Sequence, residues 1–501
     1  MRYGFVIDQD RCIGCHACTV ACKEEHQVPV GVFRTWVKYI EKGEFPHTSR
    51  HFGVMRCNHC DSAPCSTICP TNALYRRSDG IIDFDNQRCI GCKSCMQACP
   101  YDALYIDPNT NTAAKCNFCA HRVERNLEPA CVIVCPTQAI LSGDLDDPQS
   151  IVSRTVATRK TSVRKPHKGT DPKLYYVEIE GDLLEPTRLS TQDGYLFAER
   201  RDSRPGSGQF DPRLTREVYD VAHPAPWGWK IAAYLWAKSI AAGVMLVAVL
   251  LSGRASGLIG TVVAPLVALG ALVVTGALLI FDLKRPDRFY YLLTKPNFRS
   301  WLVIGAYILM AYGALCVVWL AYGLFADSVP GWVIALTALL APASACYSAF
   351  LFAQAQGRDL WQSPFLFWHL LVQAFIAGAA VWLVASLYLG SRRAWHSLVL
   401  LWFFLVLGLA MALVDSVMPH ISQDAKLSMD SMVRGHLRTR FWGLAVGAGM
   451  ALPVLLISLA WSSPTAILSA GIRGTAAVLA LAGIWWFEDV WIRAGQSVPL
   501  S

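Results

Sequence analysis

The sequence predicts a small α+β domain built around cysteine ligands, fused to an all-α bundle of eight transmembrane helices. Three observations carry this. Sixteen of the 18 cysteines lie between Cys12 and Cys135, and nearly all the long apolar runs lie after Trp227. The 501 residues are 53% hydrophobic and only 16% charged, against about 25% charged in ordinary soluble domains. Together these exclude a disordered chain, a single soluble domain and a small secreted disulfide scaffold. The net charge of +8 is spread over loops between apolar runs, so no nucleic-acid partner is expected.

The cysteines fall into four sets. Cys12, Cys15, Cys18 and Cys22 follow C-x2-C-x2-C-x3-C, as do Cys89, Cys92, Cys95 and Cys99. Cys57, Cys60, Cys65 and Cys69 follow C-x2-C-x4-C-x3-C, and the last set is Cys116, Cys119, Cys131 and Cys135. Proline follows Cys69, Cys99 and Cys135. A tight x2 loop reaches three corners of a cubane [4Fe–4S] cluster, and the fourth cysteine turns away to ligate a neighbouring cluster. Sets therefore work in pairs, and four sets predict four clusters with no ligand left over. Zinc takes C-x2-C pairs too, but as pairs of pairs rather than triples with a C-P end. Spacing alone leaves open which sets pair. Between them, Gly80–Phe84 and Ala103–Ile106 read as short strands flanking the clusters.

From about residue 145 the composition turns charged and polar, with Arg159-Lys160, Arg164-Lys165, Arg200-Arg201 and a run from Arg204 to Gly208. The basic pairs read as solvated or close to lipid headgroups. One strand-like run, Lys173–Ile179, is expected to pack on the cysteine region. The division is 1–185 for the iron–sulfur domain, 186–226 for a linker and 227–501 for the membrane domain.

Eight apolar stretches are long enough to cross about 30 Å of hydrocarbon: 229–251, 258–281, 301–325, 331–353, 365–389, 396–415, 441–461 and 472–492. An even number puts both chain ends on one side. Connections on that side hold 14 Arg and Lys, those opposite only 4 (Arg254, Arg392, Arg393 and Arg473). The positive-inside rule then places the iron–sulfur domain and both termini in the cytoplasm. Met1–Asp10, with no basic start or apolar run, gives the same expectation.

Titratable residues inside the spans concentrate toward the cytoplasmic half: Lys238, Asp282, His369, Asp415 and the Glu488-Asp489 pair. Charges cost about 2.5–3.5 kcal/mol each at a helix centre, so they are kept for function or held in pairs. Asp282 and Asp415, at span ends, also fit an interfacial rim. Cys316 and Cys346 have no partner spacing and read as packing residues.

On these motifs residues 1–185 resemble the four-cluster ferredoxin-like subunit of molybdopterin oxidoreductases such as dimethyl sulfoxide reductase. The resemblance implies nested pairing. Cys12, Cys15, Cys18 and Cys135 would share one cluster, and Cys22, Cys116, Cys119 and Cys131 another. Cys57, Cys60, Cys65 and Cys99 would hold the third, and Cys69, Cys89, Cys92 and Cys95 the fourth. Four stretches, Trp229–Gly243, Phe281–Phe289, Tyr347–Ser363 and Ala494–Leu500, are similar to the NrfD-like quinone-reactive anchors of polysulfide reductases. That resemblance implies a quinol pocket at the cluster-facing end, with Tyr234 and Tyr347 at polar and aromatic positions of its wall. Ile231 stands where a polar side chain is expected.

The expected function is an electron-transfer and membrane-anchor subunit. It would relay electrons between membrane quinone and a large catalytic subunit, by resemblance a molybdopterin protein. Quinone chemistry moves two protons with two electrons, so Lys238, Asp282, His369 and Glu488 are candidate proton partners. A redox-driven proton-translocating module is the alternative; the far halves of the spans show no acid to support it. A transporter with a structural zinc domain is a third reading, tested by iron content.

Overall fold

In the computed structural model the described residues are 1–43, 46–191, 215–251, 257–326, 328–389, 394–420, 422–462 and 466–501. The expected basic pair Arg200-Arg201, the Arg204–Gly208 run, Arg213, Arg254, Arg392 and Arg393 lie outside them.

The amino-terminal region is a small α+β domain. Its first sheet runs in the order Ile140–Asp144, Tyr3–Asp8, Leu174–Val177 and Thr161–Ser162. Tyr3–Asp8 pairs antiparallel with Ile140–Asp144 and parallel with Leu174–Val177. The strand expected at 173–179 thus forms and packs on the cysteine region. A second sheet joins Thr35–Lys42 and Ser49–Arg56 to Arg216–Tyr219 and Ser190–Thr191. Residues from the 186–226 stretch therefore extend the domain's own sheet. Two short hairpins, Leu74–Arg76 with Ile82–Phe84 and Leu104–Ile106 with Ala113–Lys115, flank the cysteine loops.

The four cysteine sets share a backbone device. The residue before the second cysteine of each is left-handed: Gly14 (φ 69°), His59 (45°), Gly91 (70°) and Phe118 (62°). Glycine adopts this freely, whereas His59 and Phe118 do so against a steric cost of about 1–2 kcal/mol. The twist turns amides onto sulfur: His59 N–H donates to Cys57 Sγ (3.5 Å) and Gly91 N–H to Cys89 Sγ (3.4 Å). Inward-facing amides of this kind favour an anionic occupant. A second left-handed residue follows every C-P step at one offset, as Asn72, Asp102 and Gln138.

Among the described residues eight helices of the second region are long and apolar enough to cross a membrane, at Trp229–Leu251, Ile259–Asp282, Trp301–Phe325, Gly331–Ala353, Phe365–Tyr388, Ala394–Val417, Thr439–Trp461 and Ala470–Gly495. They are called spans one to eight below. Their length and hydropathy make this a multi-pass membrane protein. Spans one and five form the axis, with 78% and 67% of their most apolar windows buried. Gly243 and Gly378 set their approach. A Cβ on Gly243 would lie 1.8 Å from the Ala374 carbonyl oxygen, and one on Gly378 2.1 Å from that of Gly243.

Connections at one end of the bundle dock into the iron–sulfur domain. Asn297 Nδ2 donates to the Cys69 carbonyl (2.7 Å) and Ser300 Oγ to that of Ile68 (2.7 Å). Arg288 Nη1 reaches the carbonyls of Asn86 (2.6 Å) and Cys89 (3.0 Å), and Lys284 N–H that of Gly91 (3.2 Å). Carbonyls at the C-terminal end of the helix Pro64–Ile68 and in the loop holding Cys89 are thereby satisfied from another domain. Arg164 and Lys165 differ from the solvated expectation. Both are buried, Arg164 Nη2 donating to the Leu500 carbonyl (2.9 Å).

Candidate functional site

All 18 cysteines are free. The fold brings the thiols into groups. Cys12 faces Cys15, Cys18 and Cys135. Cys22 and Cys119 both face Cys116 and Cys131. Cys60 and Cys65 face Cys57 and Cys99. Cys69 faces Cys89, Cys92 and Cys95. The first set therefore meets the fourth, and the second meets the third. The groups also touch in series, Cys18 facing Cys131 and Cys95 facing Cys65.

Electrostatics test whether these thiols suit a metal–sulfur centre. Burial pushes the Cys92 thiol up to about 12, with Cys69 adding to it, and Cys119 likewise up to about 12 beside Cys116. Thiolates crowded together in a dry interior need a positive core between them. Yet cations are buried here as well. Arg56 Nη1 donates to Cys131 Sγ (3.2 Å), and burial notwithstanding, Cys131, Cys116 and Cys18 raise its guanidinium well above the ordinary value. Lys115 Nζ donates to the carbonyls of Ile82 and Cys116. Among the described residues neither cation has a carboxylate as a hydrogen-bond partner. Buried cations that face sulfur rather than carboxylate fit groups carrying net negative charge, as ligated iron–sulfur clusters do.

The two ends of this series differ. Cys15 is exposed, with Ile13 and Val20 exposed beside it. At the other end Cys92 forms part of the wall of a cavity of about 270 Å³ in the bundle, together with Trp227, Tyr234, Asp282, Met310 and Tyr347. The rest of that wall is almost wholly aliphatic and aromatic, Ile231 included. Trp227 Nε1 donates to the Cys92 carbonyl (3.3 Å), joining the cavity roof to the ligand loop. Gly305 makes room for Tyr347: a Cβ there would lie 2.1 Å from the phenol ring.

Of the six membrane residues singled out from sequence, Tyr234, Tyr347 and Asp282 line this cavity. Lys238 lies one turn deeper, fully buried, donating to Ser348 Oγ (2.6 Å) and the Ala345 carbonyl (2.8 Å) with its ammonium 4.6 Å from the Tyr347 ring centroid. Glu488 is buried close to both Lys238 and Tyr234, and its Oε1 has no hydrogen-bond partner among the described residues. His369 sits apart, paired with Asp415 Oδ2 (2.7 Å) and stacked on Phe487. Asp282 is held by Lys93 Nζ (2.8 Å), the residue next to Cys92. Sequence reading missed Trp227, Lys93 and Ser348. Of these, only Lys93 carried a signal, as a charged side chain between two ligand cysteines, Cys92 and Cys95.

Comparison with known proteins finds separate matches to the cysteine-rich part and to the membrane part. The family model for polysulphide reductase NrfD matches residues 217–498. A 4Fe–4S dicluster domain model matches 49–145, and a 4Fe–4S binding domain model matches 3–24. A tetrathionate reductase subunit of Salmonella typhimurium is 43% identical over 189 residues, 37% of this chain and 76% of that protein. A polysulfide reductase component of Wolinella succinogenes is 42% identical over 179 residues, 35% of this chain and 94% of its own length. Protein NrfC of Escherichia coli is 45% identical over 183 residues, covering 36% and 82%.

Proposed function

The chain belongs to the polysulphide reductase NrfD family, here carrying 4Fe–4S domains, and we propose that it passes electrons between membrane quinone and a separate catalytic subunit. The observation that carries this is one cavity wall shared by Cys92 and two tyrosines. An apolar cavity with a few polar groups suits a lipophilic ring with two oxygens. Tyr234 and Tyr347 offer hydroxyls to those oxygens, and Lys238 beneath them fixes Ser348 and the Tyr347 ring.

In this reading four [4Fe–4S] clusters are held by the groupings above. Each cluster supplies one-electron oxidation and reduction when bound. The set of Cys69, Cys89, Cys92 and Cys95 lies at the quinone end, and that of Cys12, Cys15, Cys18 and Cys135 at the exposed end. Exposed Ile13 and Val20 there suit a protein partner, a molybdopterin subunit on the family resemblance. The charge bias of the connections puts this domain and both termini in the cytoplasm, with quinone protons exchanged on that side.

The test is direct. Anaerobically purified protein should carry about 16 irons per chain, and a short-chain quinol should reduce them. Ala306→Trp, filling the cavity from span three, should cut that reduction by at least about tenfold with iron unchanged. Zinc in place of iron, or unimpaired quinol oxidation in Ala306→Trp, would overturn the reading.

A further inference from the structure

The cavity of the proposed quinone site contains no route for protons by itself, because its wall is apolar and Asp282 is tied to Lys93. Beneath it the bundle is not apolar. Spans one and five pack against each other and each against spans four and eight, and each of the four contributes buried polar atoms with no protein partner among the described residues. These are Ser239 Oγ on span one, Ser344 Oγ on span four, Gln373 Oε1 on span five and Glu488 Oε1 on span eight. Left dry, each would cost about 1–3 kcal/mol. Internal water, bonded to two or more such groups, is the ordinary remedy.

The polar groups fall into two runs, one ending at Glu488 on span eight and one beginning at Gln373 on span five, and these two helices pack against each other. The Ser348 hydroxyl faces the tyrosines of the cavity and accepts from Lys238. Lys238 faces Glu488. Gln373 stands one helical turn from His369 on span five, and His369 is bonded to Asp415. Asp415 in turn lines a second cavity, of about 440 Å³, at the end of the bundle where the iron–sulfur domain docks. Lys168, Asp359, His420 and Ser422 also line it, so its wall, apolar elsewhere, carries a cluster of charged and polar groups. Lys168 and Ser422 both bond to Asp359 across it, which gives it a charged mouth.

We propose that these groups are a hydrated proton path, running from the quinone cavity through Lys238, Glu488, Gln373 and the His369–Asp415 pair to the second cavity. The path rests on the reading of the first cavity as the quinone site. When a quinol is oxidised, its two O–H bonds break, two electrons leave through the Cys92 side to the clusters, and two protons leave by the path. Quinone reduction runs the same steps backwards. Both mouths lie at the docking end, so the path returns protons to the side from which the electrons are handled. Asp415 and Gln373 touch no reacting atom and act as relay and positioning residues.

The experiment uses the full-length, cluster-loaded chain, with cluster reduction by a short-chain ubiquinol and a short-chain menaquinol followed in stopped flow. Asp415→Asn and Gln373→Leu should each slow reduction by at least about tenfold, with iron content and the binding of the oxidised quinone unchanged. The solvent isotope effect should rise in both. Millimolar formate or imidazole should restore the rate of Asp415→Asn and leave the native rate unaltered. Native rates and isotope effects in both variants would overturn the path, as would slowing with neither rescue nor isotope change. Should Asp415→Asn lose iron, Gln373→Leu, which removes no charge, decides alone. Failure of the quinone site itself reads differently: Ala306→Trp would then bind and oxidise quinol as the native chain does.

Discussion

The iron–sulfur domain and the membrane bundle both bury full charges, and they compensate them by different means. In the first, buried Arg56 and Lys115 face sulfur and carbonyl oxygen. In the second, buried Lys238 hydrogen-bonds only to a hydroxyl and a carbonyl among the described residues and lies against a tyrosine ring, while Glu488, which faces it, keeps an oxygen without a hydrogen bond. An uncompensated buried ion is expensive, about 3–5 kcal/mol when one partner of a buried pair is removed. Each region is thus incomplete as bare polypeptide. One needs anionic centres among its thiols, the other needs water and a polar guest.

That contrast can be broken most forcefully at Lys115. Lys115→Met should cost the iron-loaded protein about 3–5 kcal/mol, read as an earlier denaturant midpoint for iron release, and little in the iron-free protein. Equal losses with and without iron would mean that the cation serves packing alone. On the membrane side, Gly305→Ala forces a methyl into the Tyr347 ring. Overpacking of this kind costs about 1–3 kcal/mol, and quinol oxidation should fall while iron stays bound. Asn297→Ala removes the bond to the Cys69 carbonyl and should cost about 1 kcal/mol, visible as a small drop in thermal midpoint at full iron content.

The smallest effect is one of pH, at the joint. Burial of His223 opposes its protonation, but Asp102, 2.7 Å from Nδ1, and Asp220 outweigh it and lift the imidazole to about 9. Lys38 faces Asp220 from the other side (3.3 Å), and Ser501 Oγ meets His223 Nε2 (3.1 Å). A raised folded value stabilises fully below the ordinary pKa near 6.5 and is lost as pH rises through about 9. His223→Gln should flatten the thermal midpoint across that window, and an unchanged slope would remove His223 from the account.

Much of this was legible in the residues, for different reasons in the two regions. Seven of the helices start and end within three residues of the apolar stretches, and the eighth ends within three but begins six residues early, at Ala466, because hydrocarbon thickness imposes a length that composition must meet. The cysteine sets announce themselves because ligand spacing is covalent geometry. The shared left-handed residue before each second cysteine was only half visible, as Gly14 and Gly91, since His59 and Phe118 carry no such signature. Least legible were partners across long sequence separations. Arg285 and Arg288 counted toward a charge bias but also bond to carbonyls of the iron–sulfur domain. His369, grouped by depth with Lys238 and Glu488, is paired instead with Asp415. Depth in a span is readable from sequence; which way a side chain faces across a bundle is not.

The docking bonds of Asn297, Ser300 and Arg288 have a consequence for assembly. The relatives described above match only 35–37% of this chain, about the length of its iron–sulfur part. Here both halves of the joint are covalently tethered, so their encounter is intramolecular. A tether of this kind supplies an effective concentration in the millimolar range, far above that of two independent polypeptides meeting at a membrane. The contacts between them need only be weak for the joint to stay closed. Dilution, which would separate two subunits held by the same few bonds, leaves this one intact.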